Sequence, residues 1–465
     1  MTEAEPLPPT TPLTGRVVLK VRVPKRLRNL ELGLLFFALG VSAISLALVQ
    51  FGTQGSLDLR VLSYTGGLAA LVLLVHLALR FLAPDGDPFV LPVATVINGL
   101  GIAMIHRLDI AESLEGWDAF GIRQMVWTAV ALLGFVGVLA VVRNHRMLLR
   151  YRYLFMLAGV ALLVLPMLPG IGRTVNGATL WIALGPINFQ PGEVAKIALA
   201  IFFAGYLLTA KDSLQVVGKQ FLGVRWPRLR DLGPILVVWA LAMAVLVFQR
   251  DLGTSLLYFG LFLGMMFIAT ERFIWIVVGG GLFLVGGVLA GSQLGYVQGR
   301  INGWLDSFNP DVYSAVGGSY QLVQGLFGFA EGGFLGTGLG QGRPDLVPLA
   351  ESDYIFASLA EELGLIGVFG ILALYLLLVT RGFRVGYVGT EDFGRLLASG
   401  LAFVLAIQVF IVIGGLTRLI PVTGLTTPFL AAGGSSLVAN WMIVALIVRL
   451  SDDATKRERA LGVEG

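Results

Sequence analysis

The chain has 465 residues, is 56% hydrophobic and only 13% charged, where a soluble domain carries roughly 25% charged residues. Many of its apolar runs reach the ~18–20 residues that cross a bilayer as a helix, so the sequence reads as an integral membrane protein. The absence of cysteine excludes disulfides, thiol catalysis and thiolate metal sites, the three scattered histidines (His76, His106, His145) have no metal-ligand spacing, and a net charge of +4 is not a nucleic-acid signal.

Residues 1–29 form a Pro/Thr-rich tail that turns basic at Arg16, Lys20, Arg22, Lys25, Arg26 and Arg28 and leads into a full span, not a cleavable signal. Hydropathy predicts an all-α polytopic protein with twelve transmembrane helices, near 30–51, 61–82, 88–107, 123–143, 152–169, 190–209, 232–249, 252–270, 273–293, 355–380, 396–416 and 427–449. Basic residues crowd alternate loops (Arg143, Arg146, Arg150, Arg152; Lys211, Lys219, Arg225, Arg228, Arg230; Arg381, Arg384, Arg395), whereas 108–122 is acidic. The positive-inside rule then puts both termini in the cytoplasm and the long 294–354 loop outside, with a short cytoplasmic tail at 450–465. Glycines within spans suit close helix packing. Gly433-Gly434-Ser435-Ser436 is the run with most claim to a further role, and Pro421 and Pro428 bracket an expected break between the last two helices.

Four stretches carry chemistry. In the first, Trp181 lies in an amphipathic outer segment that runs to Gln190-Pro191-Gly192-Glu193, where Pro191 and Glu193 suit a first helical turn. Lys196 follows on the same face as Glu193; an intramembrane lysine needs a partner, so it forms either a structural pair or a cation for an anionic headgroup. In the second, Gln249-Arg250-Asp251 makes a tight outer turn, with Asp251 either a plain helix N-cap or a member of an outer cavity. The third is the outer loop with Arg300, Gln321 and the run GFLGTGLGQG, either a close-packed loop or a backbone cradle for phosphate. The fourth is Glu351-Ser352-Asp353-Tyr354 and the Glu361-Glu362 pair. Ser352 is expected to cap the helix and to put Asp353 in its first turn, where the dipole favours the carboxylate and apolar neighbours raise its pKa. That balance fits a general base, or the acid is a simple cap; Glu361 or Glu362 is expected to meet Lys196 across the bundle.

Read together, GATLWIALG…FQPGEVAK (177–196), QRDLGT (249–254), YQ…GTGLGQG (320–342), SDYIFASLAEELGLIG (352–367) and IPVTGLTTPFL..GGSSL (420–437) resemble the RodA/FtsW/SpoVE family over about residues 90–450. The resemblance implies a core of ten spans, here 88–449, with 30–82 as two additional N-terminal helices. It implies a peptidoglycan glycosyltransferase that polymerises lipid II outside the cytoplasmic membrane, beside a class B penicillin-binding transpeptidase, with Asp353 as the catalytic aspartate. Departures are present: Thr179 and Leu180 replace a common arginine pair, Arg250 a proline, Leu349 a glutamate, Glu351 a histidine, and Ala431-Ala432 a Ser-Tyr pair.

On this reading Asp353 deprotonates the acceptor sugar, and the departing lipid pyrophosphate needs positive charge from Lys196, from Arg250, Arg300 or Arg418, or from a divalent metal (Mg²⁺ or Mn²⁺) of unknown ligands. Trp181, Gln190, Glu193, Asp251, Gln321, Glu361, Glu362, Ser435 and Ser436 complete the candidate substrate-binding set, and apolar grooves would hold the polyprenyl carrier. Two competitors share these features: a flippase for the lipid-linked precursor, which would also display Lys196, Glu361 and Glu362 within the membrane, and a non-catalytic scaffold for a transpeptidase. No inverted repeat supports the first.

Overall fold

The computed structural model describes residues 27–175, 177–185, 187–215, 220–221, 224–225, 232–315 and 317–460. The basic positions Arg16, Lys20, Arg22, Lys25, Arg26, Lys219, Arg228 and Arg230 lie outside the described residues. The chain is mostly helical. Among the described residues ten helices are long and apolar enough to cross a membrane. They are α1 (Leu27–Gln54), α2 (Leu59–Leu82), α3 (Val90–Ala111), α4 (Phe120–Val141), α7 (Pro191–Gln215), α9 (Leu252–Thr270), α10 (Ile274–Gln293), α14 (Ile355–Val388), α15 (Asp392–Leu416) and α16 (Gly434–Ala460). Shorter helices are α5 (Arg146–Arg150), α6 (Arg152–Val164), α8 (Gly233–Ala244), α11 (Gly295–Leu305), α12 (Pro310–Ser314) and α13 (Tyr320–Gly332).

Two of the twelve expected spans fall short of that length. α6 and its closing turn run only over Arg152–Met167, and α8 with its final wide turn over Gly233–Gln249. Pro166 ends the first by removing a helical donor. The segment from 172 to 189, expected only as amphipathic, is an antiparallel sheet of β1 (Gly172–Val175), β2 (Ala178–Leu184) and β3 (Ile187–Phe189) in that order. Gly172 faces Ile182, which faces Phe189, and Gly177 and Gly185 take positive φ at the two turns. A further hairpin joins β4 (Gln220–Phe221) to β5 (Val224–Arg225).

The expected long loop carries three helices, α11, α12 and α13. The last break is wider than its two prolines suggested, and α16 starts at Gly434, not near 427. That helix also continues to Ala460, through much of the expected tail, because Lys456 and Arg459 bond Asp452 and Asp85 at 2.6 Å each. α3 is the hub. Its most apolar 18-residue window is wholly buried, against 22% in α10, and it packs on α1, α4, α14 and α16. Close approach is enforced by small residues: Gly99 of α3 abuts Ser42 of α1, and Gly101 abuts the backbone of Phe429 and Leu430.

Candidate active site

Helix α14 begins at Ile355, with no side chain capping it. Ser352 is therefore not its cap: the hydroxyl points back to the Leu349 carbonyl at 3.4 Å. Asp353 sits in the turn ahead of the helix, not in its first turn, because the chain reverses at Leu349 (φ 55°) and Tyr354 buries its ring. Three other segments close on this turn. The wide helical turn Val245–Gln249 leads through Arg250, in left-handed backbone (φ 59°), to Asp251. Asp251 caps α9, its Oδ1 accepting the Thr254 N–H at 2.9 Å. α11 brings Arg300, whose Nη1 donates to the Val422 carbonyl at 2.8 Å. The 417–433 segment brings Gly424, whose φ of 78° suits glycine. A methyl group there would lie 3.6 Å from Asp353 Oδ2 and 3.7 Å from Arg300 Nη2, so carboxylate and guanidinium flank one small space.

Burial pushes the Asp353 carboxyl up to about 6, with Arg300 pulling down and the negative Asp251 and Glu351 pushing further up. Desolvation also raises Asp251 and Glu351 above the usual carboxylate range, and the hydrogen bonds from Thr254 oppose it at Asp251. Among the described residues no hydrogen bond occupies Asp353, so both oxygens are available to a hydroxyl. Such a group is ionised near neutral pH yet basic enough to take a proton. Among the described residues no three His, Asp or Glu side chains gather as a metal site; the Arg300 guanidinium acts electrostatically on both the Asp251 and the Asp353 carboxylates.

The Glu361–Glu362 pair is built differently. Glu362 accepts from Arg107 Nε at 2.9 Å and from the Gly340 N–H at 2.8 Å, and Arg107 Nη2 also donates to the Gly342 carbonyl at 2.7 Å. Glu361 accepts the Arg343 N–H at 2.5 Å. Thr337, Gly338 and Gly340 of the glycine-rich run thus spend their N–H groups on α14 rather than on a phosphate. Neither acid meets Lys196: Glu362 is taken by Arg107 of α3, Glu361 accepts from the Arg343 N–H, and the Lys196 ammonium is spent on other partners.

Lys196 is fully buried, and its Nζ bonds Glu193 at 2.7 Å, Gln408 at 2.8 Å and Asn440 at 3.1 Å. All three ammonium donors are used. Asn440 also donates to Ser436 at 3.2 Å, and Ser435 accepts the Gln190 N–H at 2.9 Å, so this knot ties α7, α15 and α16 beside the site. Arg418 is likewise engaged: its guanidinium donates to the carbonyls of Trp304 (2.7 Å) and Leu305 (2.8 Å), and Trp304 answers through its indole N–H at 3.0 Å. Gln321 donates to the Pro348 carbonyl at 2.7 Å, below the Asp353 turn. Trp181 is half-buried in β2, away from these bonds, and Arg250 is exposed. The structure therefore brings Asp353, Arg300 and Asp251 together, puts Lys196, Glu193 and the two serines in a neighbouring knot, and leaves Trp181 apart. Sequence reading missed Arg107, Gln408, Asn440 and Gly424; the first three are polar residues inside apolar runs, a signal that each has a partner.

The FtsW/RodA/SpoVE family model, described as "Cell cycle protein", matches residues 89–456, beginning after α2. Peptidoglycan glycosyltransferase RodA of Mycobacterium tuberculosis is 44% identical over 453 residues, covering 96% of this chain and 95% of the relative. RodA of Mycobacterium leprae is 42% identical, covering 96% and 94%. A probable peptidoglycan glycosyltransferase FtsW of a Geobacter species is 33% identical over 371 residues, covering 78% and 96%. Among solved structures, a chain of a peptidoglycan synthase complex that coordinates polymerization and crosslinking is similar at a TM-score of 0.54 and 26% identity, covering 84% of this chain and 98% of that one.

Proposed function

The chain belongs to the FtsW/RodA/SpoVE family, and from that premise we propose that it is a peptidoglycan glycosyltransferase polymerising lipid II into glycan strands. Relatives that share almost its whole length carry that activity in their names. The observation that supports a catalytic role is the Asp353 carboxylate, poised near 6 and free of hydrogen bonds among the described residues, beside Arg300. In the reaction the 4-hydroxyl of the acceptor sugar attacks C1 of the lipid-linked donor. Asp353 accepts the hydroxyl proton as the new C–O bond forms and the bond to the pyrophosphate breaks. Arg300 Nη2, together with the exposed Arg250, offers positive charge to the departing phosphate oxygens.

The reading includes a topology. α1–α4, α6–α10 and α14–α16 make twelve crossings of the cytoplasmic membrane, both termini lie inside, and the Asp353 end of the bundle faces out. The basic loops at 143–152 and 381–395 support it. A class B penicillin-binding transpeptidase is the partner, a reading supported by the similar chain's place in a synthase complex. A flippase path needs intramembrane charges that face open space, whereas Lys196 and Glu362 are locked in buried bonds.

The test is polymerisation of labelled lipid II by the full-length protein, alone and with the co-purified transpeptidase, with Mg²⁺, Mn²⁺ or chelator. Wild type is expected to form polymer, and Asp353→Asn to lose about 10²–10⁴ in rate. Near-normal polymer from Asp353→Asn removes the assignment and favours a scaffold. Lipid flipping in vesicles without polymerisation favours the transporter.

A further inference from the structure

The Arg107–Glu362 ion pair lies outside the chemistry above, yet the contacts around it converge on residues 361–366 of α14, the helix that follows Asp353. We infer that Arg107 is a positioning residue: through Glu362 and a strap formed by residues 333–343, it holds the Asp353 turn in its reactive place, and the end of α1 braces the strap. This rests on Asp353 being the base.

α14 is broken at Gly364 (φ 66°, ψ −171°). A break in an apolar bundle strands peptide groups that water cannot reach, and each needs a partner. The strap supplies them. Leu365 N–H donates to the Gly333 carbonyl at 3.0 Å and Ile366 N–H to Phe334 at 3.2 Å. On the other side of the break, Thr337 N–H donates to the Glu361 carbonyl at 3.0 Å and Gly338 N–H to that of Glu362 at 2.9 Å. The two halves of α14 are thus joined across the break by a foreign segment, and the first half, which carries Asp353 at its head, takes its direction from the strap. Gly336 and Gly364 meet backbone to backbone, and a Cβ on either would collide with the other's main chain.

Something must then fix the strap. Its far end is pinned by side chains alone: Gly340 N–H on Glu362, Arg343 N–H on Glu361, and Arg107 reaching both the Glu362 carboxylate and the Gly342 carbonyl. Arg107 stands on α3, the hub, so its forked guanidinium couples strap and α14 to the most buried helix. A lysine offers one point charge and cannot reproduce that fork. α1 touches the same assembly twice. Gln341 Nε2 donates to the Gly52 carbonyl at 2.9 Å, and Gln50 Oε1 bonds His106, the residue before Arg107, at 2.8 Å. This gives one of the two helices preceding the family match a mechanical part in the reaction.

The experiment compares wild type, Arg107→Ala, Arg107→Lys and Gln341→Leu as full-length proteins, by steady-state polymerisation and by hydrogen–deuterium exchange. Arg107→Ala is expected to lower kcat about 10- to 100-fold with KM within about 3-fold, as for a misplaced catalytic group. The amides of 337–343 and of the 351–358 turn should lose protection together. Arg107→Lys should recover part of both, and Gln341→Leu should move both in the same direction by less. If Arg107→Ala fails to fold, Arg107→Lys and Gln341→Leu carry the test. A normal kcat, a raised KM at unchanged kcat, or unchanged protection of the 351–358 turn overturns the inference. Inactive wild type would count against the proposed function instead, and the exchange data would still decide whether Arg107 holds the Asp353 turn.

Discussion

Two groups of acids lie within twelve residues of one another and do opposite things. Glu361 and Glu362 are engaged: the hydrogen bonds their carboxylates accept come from Arg107 or from the strap. Asp353 is crowded by Arg300, Asp251 and Glu351 but accepts no hydrogen bond among the described residues. A carboxylate tied to fixed protein donors is architecture; one that is desolvated and has no such donor is a candidate for chemistry. The same contrast separates the cations. Lys196 and Arg418 are committed to protein oxygens, while Arg300 keeps one nitrogen facing the Asp353 space.

The contrast can be broken by substitution. The largest effect is expected at Asp353, where Asn should lower the polymerisation rate by about 10²–10⁴ while thermal unfolding in detergent stays unchanged. Glu362→Ala should do the reverse first: it strands Arg107 in a buried site, which costs about 3–5 kcal/mol, read as a fall in melting temperature and yield. Lys196→Ala strands Glu193 in the same way and at a similar cost, and the double variant with Glu193→Ala should regain much of the loss; equal loss in single and double variants would mean that Lys196 acts on substrate. A smaller effect concerns pH. Protonation removes the base, so kcat/KM of wild type should fall about tenfold per pH unit below about 6. Arg300 favours the charged carboxylate, so Arg300→Gln should move that acid limb to higher pH; a limb that stays in place would disconnect Arg300 from Asp353. The smallest effect belongs to the solvent-exposed Lys211–Asp392 pair (2.7 Å), whose removal should change stability by about 0–1 kcal/mol.

Much of this was legible before any coordinates. The twelve apolar segments appear as helices because hydropathy over ~20 residues is a local property, and two came out short where Pro166 and a wide helical turn intervene. Asp251 as a cap and Glu193 beside Lys196 followed from spacings of three residues, which a helix converts directly into proximity. Local spacing also misled. Ser352 looks like a cap, but the reversal at Leu349 turns its hydroxyl away. The sheet at 172–189 reads in the sequence only as an amphipathic segment, because its strands are short and sit between spans.

What the sequence determined by itself is the set of helices, the local pairs along each, and, through resemblance to a family, the identity of Asp353 as the residue to test. What the tertiary structure decided is who meets whom across the bundle. Lys196 finds amides 212 and 244 residues away, and Glu362 finds Arg107 at a separation of 255. The glycine-rich run becomes a splint for a broken helix instead of a phosphate cradle. The physical reason is that periodicity, dipoles and propensity act within a few residues, whereas the partner of a buried charge is chosen by which helix packing brings within 3 Å, and no local pattern encodes that choice.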